Sequence, residues 1–191
     1  MNLELTPDRT HYQVGARAVP RVSTIIRVLQ LARYPDDPAA LARGEAAHLC
    51  IRYMLENRLD PKTVDPIVKP YVDAAAKVIS DLRIKPIAIE RPVLSPIGYA
   101  GTPDLLCTFG NSQERCVLDW KSGKIQAAGA LQLVAYAAAS SAAPIGRIGC
   151  ELGDDGSYNL VVFRAKDWRA DWRAWLGAVS LYQWVVRMKK R

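Results

Sequence analysis

Cysteine is scarce in this chain. Four residues in 191, Cys50, Cys107, Cys116 and Cys150, carry it, and none stand in C-x-x-C spacing. That argues against a zinc or iron–sulfur site. Cys107 and Cys116 fall inside apolar runs, where a buried free thiol is the ordinary state. No apolar run approaches bilayer length, and Met1 to Arg9 shows no basic-then-apolar secretory pattern. The expectation is a protein away from any membrane, in a reducing cytoplasm. Acidic residues are also in deficit, 19 Asp and Glu against 26 Lys and Arg, for a net charge of +7. A basic balance points to a polyanionic partner and says little about fold. Repeats, linkers and low-complexity tracts are absent too, so 1–191 reads as a single domain, and half the residues are hydrophobic, enough for a sizeable core.

Residues 1–18 read as an extended lead-in. Val19-Pro20-Arg21-Val22 then enters a largely apolar helix (Ile25, Ile26, Val28, Leu29, Leu31) that Ser23 or Thr24 is placed to cap. Asp36-Asp37-Pro38 is a second helix start, acidic cap residues followed by proline in the first turn. That helix runs from Ala39 to about Asn57, with Leu41, Ala46, Leu49, Tyr53 and Met54 as core candidates. A third helix spans about Pro66 to Leu82, with Ile67, Tyr71, Ala75, Val78 and Ile79 inward. Pro86 stops anything helical, and Ile87 to Leu94 reads as a strand carrying Glu90. An alanine-rich helix follows Gly123 to about Ser141. Arg147–Leu152 and Tyr158–Phe163 form a hairpin around Asp154-Asp155-Gly156. The segment 166–191 is an aromatic and basic C-terminal helix. Its stripe Trp168, Trp172, Trp175, Val179, Tyr182 and Val186 reads as core over one face of the sheet, with base stacking as the other reading. Arg187, Lys189, Lys190 and Arg191 suit its C-terminus. The fold class is α/β in the broad sense (α+β), a central mixed sheet of about five strands flanked by helices.

The most informative stretch is Gly101 to Lys121. The apolar runs Leu105–Phe109 and Cys116–Leu118 flank a polar Gly110-Asn111-Ser112-Gln113, the pattern of a β-hairpin. If the turn centres between Asn111 and Ser112, Asp104 falls opposite Asp119, with Cβ atoms roughly 4.5–5.5 Å apart. Lys121, two residues beyond Asp119, shares its face. Opposed carboxylates destabilise a sheet unless a cation lies between them. Two readings meet that need: a divalent metal on oxygen ligands with the Lys121 ammonium nearby, or a salt-bridged Asp/Lys cluster on a solvated face.

Two helical pairs carry similar alternatives. Gly44 and His48 are four apart on one face. A glycine there costs about 1 kcal/mol relative to alanine, which close backbone approach to a group such as a phosphate, or a tight helix crossing, would explain. Gln132 and Tyr136 are likewise one turn apart. They form either a polar stripe facing the hairpin's charged end or an exposed glutamine beside a half-buried tyrosine.

Taken together, Leu118-Asp119-Trp120-Lys121-Ser122-Gly123-Lys124 followed by Gln132-Leu133-Val134-Ala135-Tyr136 resembles the active-site strand and following helix of RecB-type nucleases in the PD-(D/E)XK superfamily. Members of that branch read D-Y-K-T-G-K and then Q-x-x-x-Y, so tryptophan and serine here are departures. Gly98 to Asp104 resembles the family's G-x-x-D strand and keeps a Pro-Asp, Gly44 to His48 matches its G-x-x-x-H, and Glu90 falls where many members carry a strand glutamate. The likeness runs from about Val19 to Tyr136 and is nearest to stand-alone phage and prophage exonucleases. It includes neither the RecB helicase portion nor a cysteine cluster.

The resemblance implies a restriction-endonuclease-like core and a metal-dependent DNA exonuclease serving phage or cellular recombination, repair or DNA processing. It assigns Asp104, Asp119 and Lys121 to catalysis, and His48, Asp104, Asp119 and the Trp120 carbonyl to Mg²⁺ or Mn²⁺. Glu90 would support the site, and Ser122, Gln132 and Tyr136 would contact DNA. Implied partners are single- or double-stranded DNA ends and a strand-annealing or recombination protein, in a bacterial host's cytoplasm if the gene is a phage's. Two alternatives share the motifs: an endonuclease on the same site, and a DNA-binding accessory protein whose nuclease site is vestigial.

Overall fold

The computed structural model describes residues 3–8, 10–32 and 37–189. The N-terminal segment is more than a lead-in. Its extended residues pair into a three-stranded antiparallel sheet, β1 (Glu4–Leu5), β2 (His11–Val14) and β3 (Arg17–Pro20), with β2 central. Tyr12 and Val19 bury against Ala100, and the Tyr12 hydroxyl hydrogen-bonds Thr102 Oγ1. Helix α1 (Val22–Val28) begins earlier than a Ser23 or Thr24 cap would place it. Arg21 holds the cap position without a side-chain hydrogen bond to the helix's first turn, and the Thr24 hydroxyl instead donates to the Thr10 carbonyl at 2.6 Å. Pairing of the strand just upstream decides where this helix starts.

Helix α2 (Pro38–Leu55) starts as expected, with the Asp37 carboxylate accepting from Ala39 N at 2.9 Å and proline in the first turn. Asp36, Lys190 and Arg191 lie outside the described residues. The buried positions of α2 are Ala47 and Ile51, with Ala46 and Met54 packed beside them. Leu41 and Leu49, expected in the core, are 47% and 46% exposed and line a cleft. Helix α3 (Lys69–Asp81) buries Tyr71, Ala75 and Val78 and partly Ile79. Ile67, expected inward with them, precedes the helix and is exposed, its N–H bound to Asp65 Oδ1.

The expected strand Ile87–Leu94 is two strands. β4 (Ile84–Ile89) runs through Pro86, which is tolerated because β4 is an edge strand whose register shifts between Pro86 and Ala88. It ends at Ile89, and Glu90, with a φ of 42°, turns the chain. β5 (Val93–Ser95) then pairs with β6 (Tyr99–Gly101) in a separate ribbon. β7 (Leu105–Phe109) and β8 (Cys116–Lys121) form the hairpin in the expected register, Leu105 opposite Leu118 and Cys107 opposite Cys116. Helix α4 (Ala128–Ser140) crosses over to β9 (Gly146–Leu152), parallel to β8, and β10 (Tyr158–Val162) completes a hairpin with β9. The fold is thus α+β: a mixed five-stranded sheet, ordered β10-β9-β8-β7-β4, flanked by helices. Among the described residues no helix is long and apolar enough to cross a membrane.

Each face of the sheet has its own core. Leu105, Cys107, Leu118 and Trp120 pack with α2 and α3. On the other side Val117 and Tyr99 pack with α1, α4 and the last helix, α5 (Trp168–Met188). α5 stacks on α4 and α1 rather than lying on the sheet as its aromatic stripe suggested. Trp175 is fully buried, edge-on to Tyr99 at 5.1 Å, so it is core and not a stacking platform. The start of α5 is tied to the sheet by Arg147 on β9. This buried guanidinium donates to Asp171 Oδ2 at 2.6 Å and to the Arg164 carbonyl, beside the Phe163 and Trp168 rings. Removing one partner of a buried pair leaves an uncompensated charge. Arg147→Ala should therefore cost about 3 kcal/mol, measured by urea unfolding with the slope unchanged. A change below about 0.5 kcal/mol would show that the tie does not stabilise the fold.

Candidate active site

Strand β8 alternates strictly. Leu118 and Trp120 point into one core, which turns Asp119 and Lys121 to the opposite face. Asp104, just before β7, presents its carboxylate at the same place, with Oδ2 accepting from Trp120 N at 2.8 Å. The two carboxylates are not left facing each other bare. His48 of α2 places Nδ1 at 3.4 Å from Asp104 Oδ1, and Lys121 Nζ is 2.5 Å from Asp119 Oδ2. From α4, the Gln132 amide donates to Asp119 Oδ1 at 3.0 Å and to the Tyr136 hydroxyl at 3.4 Å. One carboxylate is thus matched by an imidazole, the other by an ammonium and an amide.

The electrostatics follow from this crowding. Burial opposes charge on His48, but the Asp104 carboxylate, with Asp119 behind it, outweighs burial and lifts the imidazole to about 9. Burial pushes Asp119 up to about 6, with Asp104 adding to the rise and Lys121 offsetting part of it. Asp104 moves the other way, because His48 overcomes its burial. Burial, then the two aspartates, raise Tyr136, which stays a hydroxyl donor.

These groups line a cleft of about 1190 Å³ bounded by α2, the end of β8 and α4. His48, Glu90, Asp104, Asp119, Lys121, Ser122, Gln132 and Tyr136 all reach it, from elements far apart in sequence. Trp120 does not, since its ring is in the core and its backbone N–H serves Asp104. Gly44 has a reason of its own: a Cβ there would sit 3.1 Å from Ser122 Oγ, so α2 approaches the loop after β8 closely. The close backbone approach expected at Gly44 is therefore to that loop and not to a neighbouring helix. Glu90 sits beside Arg52, at 3.3 Å, and its carboxyl is raised first by burial and then by Asp104.

Other cleft residues carried no sequence motif. Arg21, Arg43 and Arg52 line the cleft, and Lys124 sits on its rim. Glu151 of β9, behind the cleft and not in its lining, is the more consequential. Paired with Lys121 in the sheet register, it is buried and accepts from Lys124 Nζ and Ile125 N, both at 2.8 Å, and from Asn159. It pins the loop carrying Ser122 to the sheet. A lone glutamate in a strand gives no hint of this before the parallel β8–β9 pairing is known.

Two carboxylates and an imidazole suit a hard divalent cation in kind. In this arrangement each carboxylate is turned to a cation or donor of the protein itself. Among the described residues no three His, Cys, Asp or Glu side chains are grouped to hold an ion.

Two outcomes test the site without any ligand. His48 is raised from 6.5 to about 9 on folding, so its stabilising contribution is complete below pH 6.5 and is lost as pH rises through 9. Asp119, raised from 3.8 to about 6, loses its contribution as pH rises from 3.8 through 6, which leaves the upper window to His48. In chelator, the parent should lose more thermal stability than His48→Gln between pH 6.5 and 9, and equal slopes would refute the pairing. Glu151→Ala should speed tryptic cleavage after Lys124, and an unchanged rate would mean the loop is held otherwise.

Comparison with known proteins finds no family model that matches the chain and no match among curated proteins.

Proposed function

We propose that the cleft hydrolyses DNA phosphodiesters with the help of a divalent cation, as an exonuclease acting at ends and leaving 5′-phosphates. The observation that carries this reading is the convergence of Asp104, Asp119, Lys121 and His48 at one end of a hairpin, with Gln132 and Tyr136 behind them. It is supported by the basic balance of the chain and by Arg21, Arg43 and Lys124 around the cleft.

His48, Asp104 and Asp119, the implied ligands that line the cleft, would hold Mg²⁺ or Mn²⁺. Such an ion lowers the pKa of a bound water and neutralises charge on phosphate oxygens. The remaining residues have roles of their own. The Lys121 ammonium orients the attacking water and stabilises charge developing on the phosphoryl oxygens. The Gln132 amide fixes the rotamer of Asp119, and the Tyr136 hydroxyl stays a donor beside the strand. The Ser122 hydroxyl donates to a phosphate, on a loop that Glu151 keeps in place.

A second reading comes from the closed ion pairs. With His48 on Asp104 and Lys121 on Asp119, the residues also form a self-sufficient charge cluster. That arrangement favours a DNA-binding accessory protein without cleavage. An endonuclease on the same site is the third possibility, and only a circular substrate separates it from the first.

Purified protein incubated with linear or covalently closed circular DNA, in Mg²⁺, Mn²⁺ or EDTA, distinguishes all three. Metal-dependent loss of linear DNA alone is expected, with Lys121→Ala slowed about 10²–10³-fold. Cutting of the circle would establish the endonuclease. DNA binding without loss of either substrate would establish the accessory protein.

A further inference from the structure

A second pocket, of about 350 Å³, lies between β3 and the last turns of α5. Its chemistry is simple. Arg17 comes from β3, Arg187 and Gln183 from α5, and Pro20 and Val186 supply apolar wall. No carboxylate lines it, and among the described residues neither guanidinium meets one. The floor is Gly98, at φ +94°, where a side chain would be strained. An added Cβ would lie 3.3 Å from Arg17 Nη2 and 3.7 Å from Gln183 Nε2, so both donor groups converge over this glycine. Tyr182 backs the pocket, its hydroxyl 3.4 Å from His11 Nε2. Planar nitrogen donors that converge with no anion among them suit the oxygen face of a phosphate.

The pocket also has a direction. Arg21, four residues after Arg17, lines the main cleft, and its backbone bridges Ala100 in β6. Two adjacent stretches, Arg17 to Arg21 and Gly98 to Asp104, therefore each lead from this pocket to the cleft. Six residues of extended chain separate Gly98 from Asp104 by at most about 22 Å. A strand of duplex DNA, advancing about 3.4 Å per phosphate along the helix axis, covers that span in at most about six nucleotides.

We propose that Arg17, Gln183 and Arg187 form a second phosphate site, which grips the strand backbone up to about six nucleotides from the cleft. The source of the phosphate rests on the DNA reading above. The pocket itself does not. In an exonuclease such a grip holds the substrate while successive ends are consumed, and it makes affinity depend on strand length.

The experiment measures binding in EDTA by fluorescence anisotropy, using labelled single-stranded 4-mers and 16-mers over a salt series. The parent is compared with the double variant Arg17→Gln/Arg187→Gln. Both side chains are exposed, so thermal melting should be unchanged and serves as the folding check. For the 16-mer, affinity should fall about 10-fold or more and the salt slope by about 1.4, two contacts at about 0.7 each on a single strand. The 4-mer should bind both proteins alike. Equal 16-mer affinity and slope in the two proteins, or an equal loss for the 4-mer, overturns the proposal. Phenylglyoxal modification, mapped by peptide, separates its failure from that of the DNA reading. If the parent binds no DNA while tens of millimolar inorganic phosphate slows modification of Arg17 and Arg187, the phosphate pocket stands and the DNA reading falls. If phosphate protects neither arginine, the pocket assignment falls as well.

Discussion

Two carboxylates stand opposed at the open end of a β-hairpin, and most of the surrounding architecture answers that repulsion. Asp119 is nearly fully buried, so its charge cannot be left to solvent. Lys121 is brought to it by strand alternation, Gln132 by the crossover helix, and His48 is brought to Asp104 by a helix packed on the other core. Four separate elements are thus anchored to one electrostatic problem. A sheet provides the rigid frame that keeps the charges close, and the helices provide the groups that make the closeness tolerable.

The same frame explains why a cleft exists at this position. Helix α2 divides its surface between Ala47 and Ile51, which close one core, and Gly44, His48, Leu41 and Leu49, which face the opening. The loop after β8 is drawn against Gly44 and held down by Glu151. A loop fixed at both ends holds Ser122 and Lys124 in place more tightly than a free one could, since fewer backbone conformations remain open to it. The far side of the molecule is steadied by the buried Arg147, which joins β9 to the start of α5.

Much of this was legible from local pattern. The turn placed between two apolar runs set the β7–β8 register, and with it the meeting of Asp104 and Asp119. The Asp37-Pro38 cap and the second hairpin were readable for the same reason: each depends on neighbours within a few residues. Elements whose limits depend on distant partners were not readable. The N-terminal strands exist because β2 lies between two others, and Pro86 sits inside a strand because that strand is at an edge. Leu41 and Leu49 are hydrophobic residues on a helix, yet which side of the helix is covered depended on where the sheet and α3 came to lie.

By itself, then, the sequence determined the hairpin, its opposed aspartates, the lysine beside one of them, and the pairings of residues a helical turn apart. These rest on strand alternation and helical periodicity, which act over a few residues. Only the tertiary structure decided that His48 reaches Asp104, that Gln132 reaches Asp119, that Glu151 holds the loop after β8, and that Arg17 and Arg187 share a pocket. Those contacts join residues from about 13 to 170 positions apart. No local periodicity encodes such separations; they arise when two cores close on either side of one sheet.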